Sequence, residues 1–172
     1  MYINIHMIKI LDKFFENARG RKIVATEFLR LGLKVDGKGK VYAGRIELPP
    51  AKIARALSVD RRVVIDTAKA IAQDDKLLQI FYKLEPRAFM GNSAKVLGLD
   101  AVQIRADPKK KGIVAAVTKV LADEGIVIRQ VISDDPDLFP DPVLTIIING
   151  KLSASVIKRI KELPFATEIS FK

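Results

Sequence analysis

The stretch from Pro49 to Ile71 constrains the fold more tightly than any other part of the chain. Pro49-Pro50 ends the strand before it and opens a helix, because proline suits the first helical turn. Ile53 and Leu57 then form one apolar edge, while Ala54 is small where a second helix must cross closely. Ser58 takes a turn, Val59 plugs the corner, and Asp60 is placed to cap a second helix whose inward positions are Val64, Ala68 and Ile71. The outer stripe of that helix is Arg61, Arg62, Ile65, Asp66 and Lys69. This is the spacing of a helix-turn-helix, and arginines at the start of its second helix are where base edges and flanking phosphates are met in the major groove. With Lys52 on the first helix, Arg61, Arg62 and Lys69 are candidate DNA contacts. An ordinary pair of packed helices with solvated arginines would carry the same apolar pattern.

Upstream, Met7, Ile10, Leu11, Phe14 and Phe15 fall at helical spacing over residues 7–16. Ile23, Val24, Phe28, Leu31 and Leu33 do so over 21–33, with a turn at 17–20 between the two and Gly32 as a stop signal. Asp36-Gly37, flanked by β-branched and aromatic residues, predicts a hairpin turn that continues into a strand over 41–48. Lys38 and Lys40 either make this hairpin a basic wing, and so join the candidate DNA contacts, or are solvated lysines of a plain loop. Leu77, Leu78, Ile80, Phe81 and Tyr82 read as core residues or a closing strand. The charge suits a phosphate partner: residues 1–90 carry a net +8 and residues 91–172 a net +2, and each neutralised phosphate releases counterions. Basic surfaces also serve solubility alone.

Proline, glycine and small polar residues between Glu85 and Ser93 interrupt both periodicities, which places a boundary there and divides the chain into domains 1–90 and 91–172. Beyond it the pattern predicts a strand over 99–106, a helix over 112–124 with Ile113, Val117, Val120 and Leu121 inward, and a strand over 126–132. An acidic loop at 134–141 leads to an apolar strand over 142–149, a helix over 152–163 with Val156, Ile157, Ile160 and Leu163 inward, and a strand over 165–171 in which Phe165, Thr167, Ile169 and Phe171 alternate. The order βαββαβ is that of a ferredoxin-like unit, so the fold class is α+β: a mostly helical, winged helix-turn-helix domain followed by a ferredoxin-like domain.

The chain has no cysteine and one histidine, which excludes disulfides, thiolate nucleophiles and cysteine zinc sites. His6 has no Ser, Asp or Glu at a telling spacing and reads as a terminal residue. Arg105 and Asn149 could flank a phosphate, but no base or nucleophile converges with them, so no enzyme, catalytic residue or cofactor is expected. The acids of the 134–141 loop lack the order of a calcium loop and are stiffened by prolines, so no metal site is expected. No stretch approaches the roughly 20 apolar residues of a membrane span. The first ten residues lack the basic start and cleavage site of a secretory signal, which predicts a cytoplasmic protein.

The run Gly112-Ile113-Val114-Ala115-Ala116-Val117 through Gly125-Ile126-Val127-Ile128 resembles the signature of ACT domains, in which a glycine opens the first helix and a Gly-Ile pair starts the second strand. Joined to Arg61-Arg62-Val63-Val64, the whole chain resembles the archaeal predicted regulators of amino-acid metabolism that carry an ACT domain. The resemblance implies a ligand-responsive transcription regulator whose partners are double-stranded DNA, a small effector that is often an amino acid, and further copies of the chain. Sheets paired side by side would give a homodimer or higher homo-oligomer. Effector contacts are implied at Lys111, Gly112, Ile113, Val127 and Ile128, where Lys109 and Lys110 add positive charge. Where the family has Asp-x-Pro-Gly, this chain has Lys109-Lys110-Lys111-Gly112, with Asp107-Pro108 upstream. Two other readings stand beside this one: a dimerisation domain with a solvated lysine loop, and a non-catalytic regulatory subunit that docks on a biosynthetic enzyme through its N-terminal half.

Overall fold

The computed structural model of the chain describes residues 7–107, 110–164 and 166–172. His6, Pro108, Lys109 and Phe165, which the sequence pattern singled out, lie outside the described residues, as does the side chain of Met7. Among the described residues there are seven α-helices and two antiparallel sheets, a mixed α+β architecture. The chain divides into two compact units, Met1–Arg87 and Ala88–Lys172.

The first unit runs α1 (Met7–Phe14), α2 (Arg19–Leu31), β1 (Lys34–Val35), β2 (Val41–Ala43), β3 (Ile46–Glu47), α3 (Pro50–Leu57), α4 (Arg61–Gln73) and α5 (Asp75–Phe81). Its centre is α4, whose Val64, Ala68 and Ile71 are fully buried. A Cβ added to Gly20 on α2 would lie 3.3 Å from a methyl of Val63, so the starts of α2 and α4 approach closely. Thr67 is the polar exception on the buried side of α4, and its hydroxyl donates to the Val63 carbonyl at 2.7 Å. That bond satisfies a group which would otherwise be buried without a partner.

Two elements differ from the sequence pattern. The expected strand over 41–48 is broken by a turn at Gly44-Arg45 into β2 and β3, giving a three-stranded sheet in the order β1-β2-β3. Gly44 has φ +61, which removes it from any extended strand. The segment from Leu77 to Phe81 is helix, because the Asp74 carboxylate accepts the Leu77 N–H at 2.8 Å and starts a new turn where α4 stops. Leu77 and Phe81, one helical turn apart, are buried.

The second unit opens with two short 3-10 turns, Gly91–Ser93 and Lys95–Leu97, followed by β4 (Leu99–Ala106), α6 (Ile113–Asp123), β5 (Ile128–Ser133), β6 (Val143–Asn149), α7 (Ala154–Lys161) and β7 (Ala166–Phe171). The four strands lie in the order β5-β6-β4-β7, with every neighbouring pair antiparallel. Val102 lies opposite Ile146 on one side and Phe171 on the other, and Ile104 opposite Leu144 and Ile169. These residues share one face and close against Val117, Val120 and Leu121 of α6 and Val156 and Ile160 of α7. Burying each such Val, Leu or Ile contributes about 1.5–3 kcal/mol. The 3-10 turns are not an open linker: Ala94 and Leu99 pack with Ala101 and Ile147 on the other face of the sheet. Gln130 helps hold the segment, its amide donating to the Ala88 carbonyl at 2.7 Å and its carbonyl accepting the Met90 N–H at 3.2 Å.

Candidate functional site

In the first unit the corner between α3 and α4 presents a charged helix start. Ser58 adopts the left-handed conformation with φ 53 and ψ 42, a strain of roughly 1–2 kcal/mol for a residue with a Cβ. The turn repays part of it through hydrogen bonds, the Val59 N–H donating to the Ala54 carbonyl at 3.0 Å. Asp60 then accepts the Arg62 N–H at 2.7 Å and caps α4. Residues 51–71 are thus two helices joined by a tight turn, and Arg61, Arg62 and Lys69 are exposed along the outside of the second. Asp66, the acid within this stripe, faces the Arg21 guanidinium of α2 at 3.4 Å, which offsets its charge.

The β1–β2 turn joins the same helix. Gly39 has φ +72, and a Cβ there would stand 3.3 Å from both the N and Cα of Lys69, so the turn lies directly on the α4 backbone. Asp36 organises this turn. Its Oδ1 accepts the backbone N–H groups of Lys38 at 2.9 Å and Lys40 at 2.8 Å, and its Oδ2 accepts the Tyr42 hydroxyl at 3.2 Å. Burial acts to raise the pKa of this carboxyl, but the two N–H groups and the phenol together outweigh it and hold the group below its ordinary value. Lys38 is exposed beside α4. Lys40 is committed differently: its ammonium lies 2.9 Å from Glu47, whose hydrogen bond and charge raise the lysine above its ordinary range. Lys52 lies on another face, lining a cavity with Phe28, Leu31 and Leu48. The structure therefore brings Lys38, Arg61, Arg62 and Lys69 onto one helix and its adjoining turn, ties Lys40 within the hairpin, and leaves Lys52 outside the group. Arg21 escaped sequence reasoning, since nothing local links it to Asp66, 45 residues on.

In the second unit a cavity of about 430 Å³ opens where β4 gives way to α6, lined by Lys110, Gly112, Ile113, Ser133, Asp134 and Pro136 among others. Gly112 precedes α6 in the left-handed region with no side-chain cap, so the first N–H groups of that helix are left to other acceptors. Asp134 is occupied, its Oδ2 accepting the Val143 N–H at 3.1 Å. Of the residues implied as effector contacts, Gly112 and Ile113 line this cavity, while exposed Lys111 lies next to it in sequence and the lining lysine is Lys110. Val127 and Ile128 are elsewhere. They follow the far end of α6, whose 11 residues span about 16 Å. There Val127 accepts the Asn149 N–H at 2.8 Å and Ile128 packs against the core. Among the described residues no group of three or more His, Cys, Asp or Glu is placed to hold a metal ion, and no helix is long and apolar enough to cross a membrane.

No family model and no curated protein matches the chain. Among solved structures, the crystal structure of PH0061 is similar at 14% sequence identity with a TM-score of 0.26, covering 72% of this chain and 78% of its own. At that superposition the likeness assigns neither fold nor activity.

Proposed function

We propose that the chain is a DNA-binding transcription regulator in which α3 and α4 form a helix-turn-helix and the βαββαβ unit is a ferredoxin-like ACT domain that senses a small effector. The observation that carries this reading is the exposed side of α4, where Arg61 and Arg62 project just after a tight corner and, two turns further on, Lys69 adjoins the β-turn that bears Lys38. A helix entering the major groove by its first turns presents side chains at these positions to base edges and phosphates. The net +8 over residues 1–90 supports a phosphate-rich partner. The effector, an amino acid or related small carboxylate, occupies the cavity at Gly112 and Ile113, where the uncapped start of α6 and Lys110 favour an anion. The sheet edges β5 and β7 offer backbone groups for side-by-side pairing of two copies in the cytoplasm, which would match two helix-turn-helix units to a pseudo-palindromic site.

The test uses duplexes selected from a randomised pool by the full chain. Arg61→Ala with Arg62→Ala should abolish retention of the selected duplex, each base-facing arginine contributing about 1–3 kcal/mol. Lys38→Ala should instead weaken all duplexes alike and flatten the salt dependence by about one unit of slope. Unchanged retention by the double variant, with its circular dichroism intact, would refute the assignment.

A further inference from the structure

The outer side of α2 carries a trough that the proposed DNA contact does not use. Val24, Ala25, Phe28 and Leu29 turn into the core of the first unit. On the opposite side of the helix, a cavity of about 330 Å³ is lined by Arg19, Lys22, Ile23, Thr26 and Arg30. It adjoins a second, of about 260 Å³, between α2 and α3, whose walls include Phe28, Leu31, Leu48, Ile53 and Leu57. Glu27 lines both and is paired with Arg30 at 3.5 Å, so the two cavities are neighbours and make a trough whose one end carries Arg19 and Lys22 and whose other end is apolar. Ile23 and Leu31 stand along it 45% and 53% exposed, two helical turns apart, about 12 Å. Half-exposed branched side chains at this spacing, beside an apolar slot, form a surface suited to an amphipathic helix laid into a groove. At the basic end Lys22 is paired with Asp12, yet its side chain remains 42% exposed, and Arg19 is exposed beside it.

We propose that this trough docks an acidic amphipathic helix of a partner protein, with its apolar stripe in the α2–α3 slot and its carboxylates over Arg19 and Lys22. Charge selects the occupant. A second copy is a poor fit, because the first turns of α1, α2, α3, α4, α6 and α7 hold no acid, α7 ends in Lys158, Arg159 and Lys161, and α5, which does begin on Asp75, has only 7 residues, about 10 Å and so short of the trough. Nucleic acid is a poor fit as well, since phosphates gain nothing from a slot lined by Phe28, Leu48, Ile53 and Leu57. The proposal stands apart from the DNA reading, because neither cavity is lined by Lys38, Arg61, Arg62 or Lys69.

The test is fluorescence anisotropy of the full chain with three labelled, end-capped peptides of about 16 residues, long enough for roughly four helical turns. The first carries leucines at i, i+4, i+7 and i+11 and glutamates on the flanking positions, the second scrambles that sequence, and the third replaces glutamate by lysine. The acidic amphipathic peptide should bind saturably and the other two should not. Leu31→Gln and Ala56→Glu, both at exposed positions lining the slot, should each weaken binding at least about tenfold, and Arg19→Glu should reduce its salt sensitivity. Equal binding of the scrambled peptide, no binding of the acidic one, or indifference to both slot variants would overturn the proposal. Self-association of the wild-type chain that Leu31→Gln abolishes would overturn it in favour of a second copy, and loss of duplex retention in Ala56→Glu would overturn it in favour of nucleic acid.

Discussion

Three glycines in the two turns of the small sheet separate two physical effects that meet where the β1–β2 turn reaches α4. Gly37 has neither a positive φ nor an atom within 4 Å of an added Cβ, Gly44 has φ +61 with open space around it, and Gly39 has φ +72 with the Lys69 backbone 3.3 Å away. Gly37→Ala should therefore change stability by less than about 0.5 kcal/mol. Gly44→Ala should lose roughly 1–2 kcal/mol to backbone strain alone. Gly39→Ala meets the same strain and a contact with helix backbone, which gives far less readily than the tip of a side chain, so its loss should reach about 2–3 kcal/mol. The chain has no tryptophan, and its three tyrosines all fall between Met1 and Arg87. Tyrosine fluorescence during urea unfolding thus follows the first unit alone. With a slope near 1 kcal/mol per molar urea for a unit of this size, Gly39→Ala should lower the midpoint by about 2 M and Gly37→Ala should barely move it. Equal midpoints for Gly37→Ala and Gly39→Ala would refute the packing of this turn on α4.

Asp60→Ala removes the acceptor for the Arg62 N–H and should destabilise the first unit by about 0.5–2 kcal/mol, with Asp60→Asn close to wild type, both read from the same urea curves. The Asp36 carboxyl is held below its ordinary value of 3.8 in the folded chain, so its contribution to stability is complete above that unfolded value and drains away as pH falls through the lower folded one. Asp36→Asn should therefore remove part of the loss of stability seen in urea midpoints measured between about pH 4 and pH 2.

The α3–α4 corner was legible in the sequence because everything that makes it is local. Apolar spacing, a turn residue and a capping acid fall within one short run, and the strained Ser58 and the Asp60 cap sit where those signals put them. The strand and helix order of the second unit was legible for the same reason, each element carrying its own period. Contacts closed over long separations were not. Nothing near Arg21 points to Asp66, and nothing in Lys38-Gly39-Lys40 indicates that the turn lies on Lys69. Residues 85–93 look like a linker by composition, yet Gln130 holds the Ala88 carbonyl and the Met90 N–H, and Ala94 just beyond completes a small core with Leu99 and Ile147. The family resemblance implies contacts at both ends of α6, while the cavity gathers Gly112 and Ile113 with Ser133 and Asp134 from the end of β5. That grouping depends on how the strands are paired, which short motifs do not encode.

The claim on which the functional account turns is that the outer side of α4 meets the duplex. Backbone amide shifts of the ¹⁵N-labelled full chain, followed by NMR as a selected duplex is added at low and at high salt, test it directly. Shifts should concentrate at Arg61, Arg62, Ile65, Lys69 and the Lys38 turn, and fade as salt rises. Shifts confined to other surfaces of the first unit, with residues 61–69 unmoved, would contradict it.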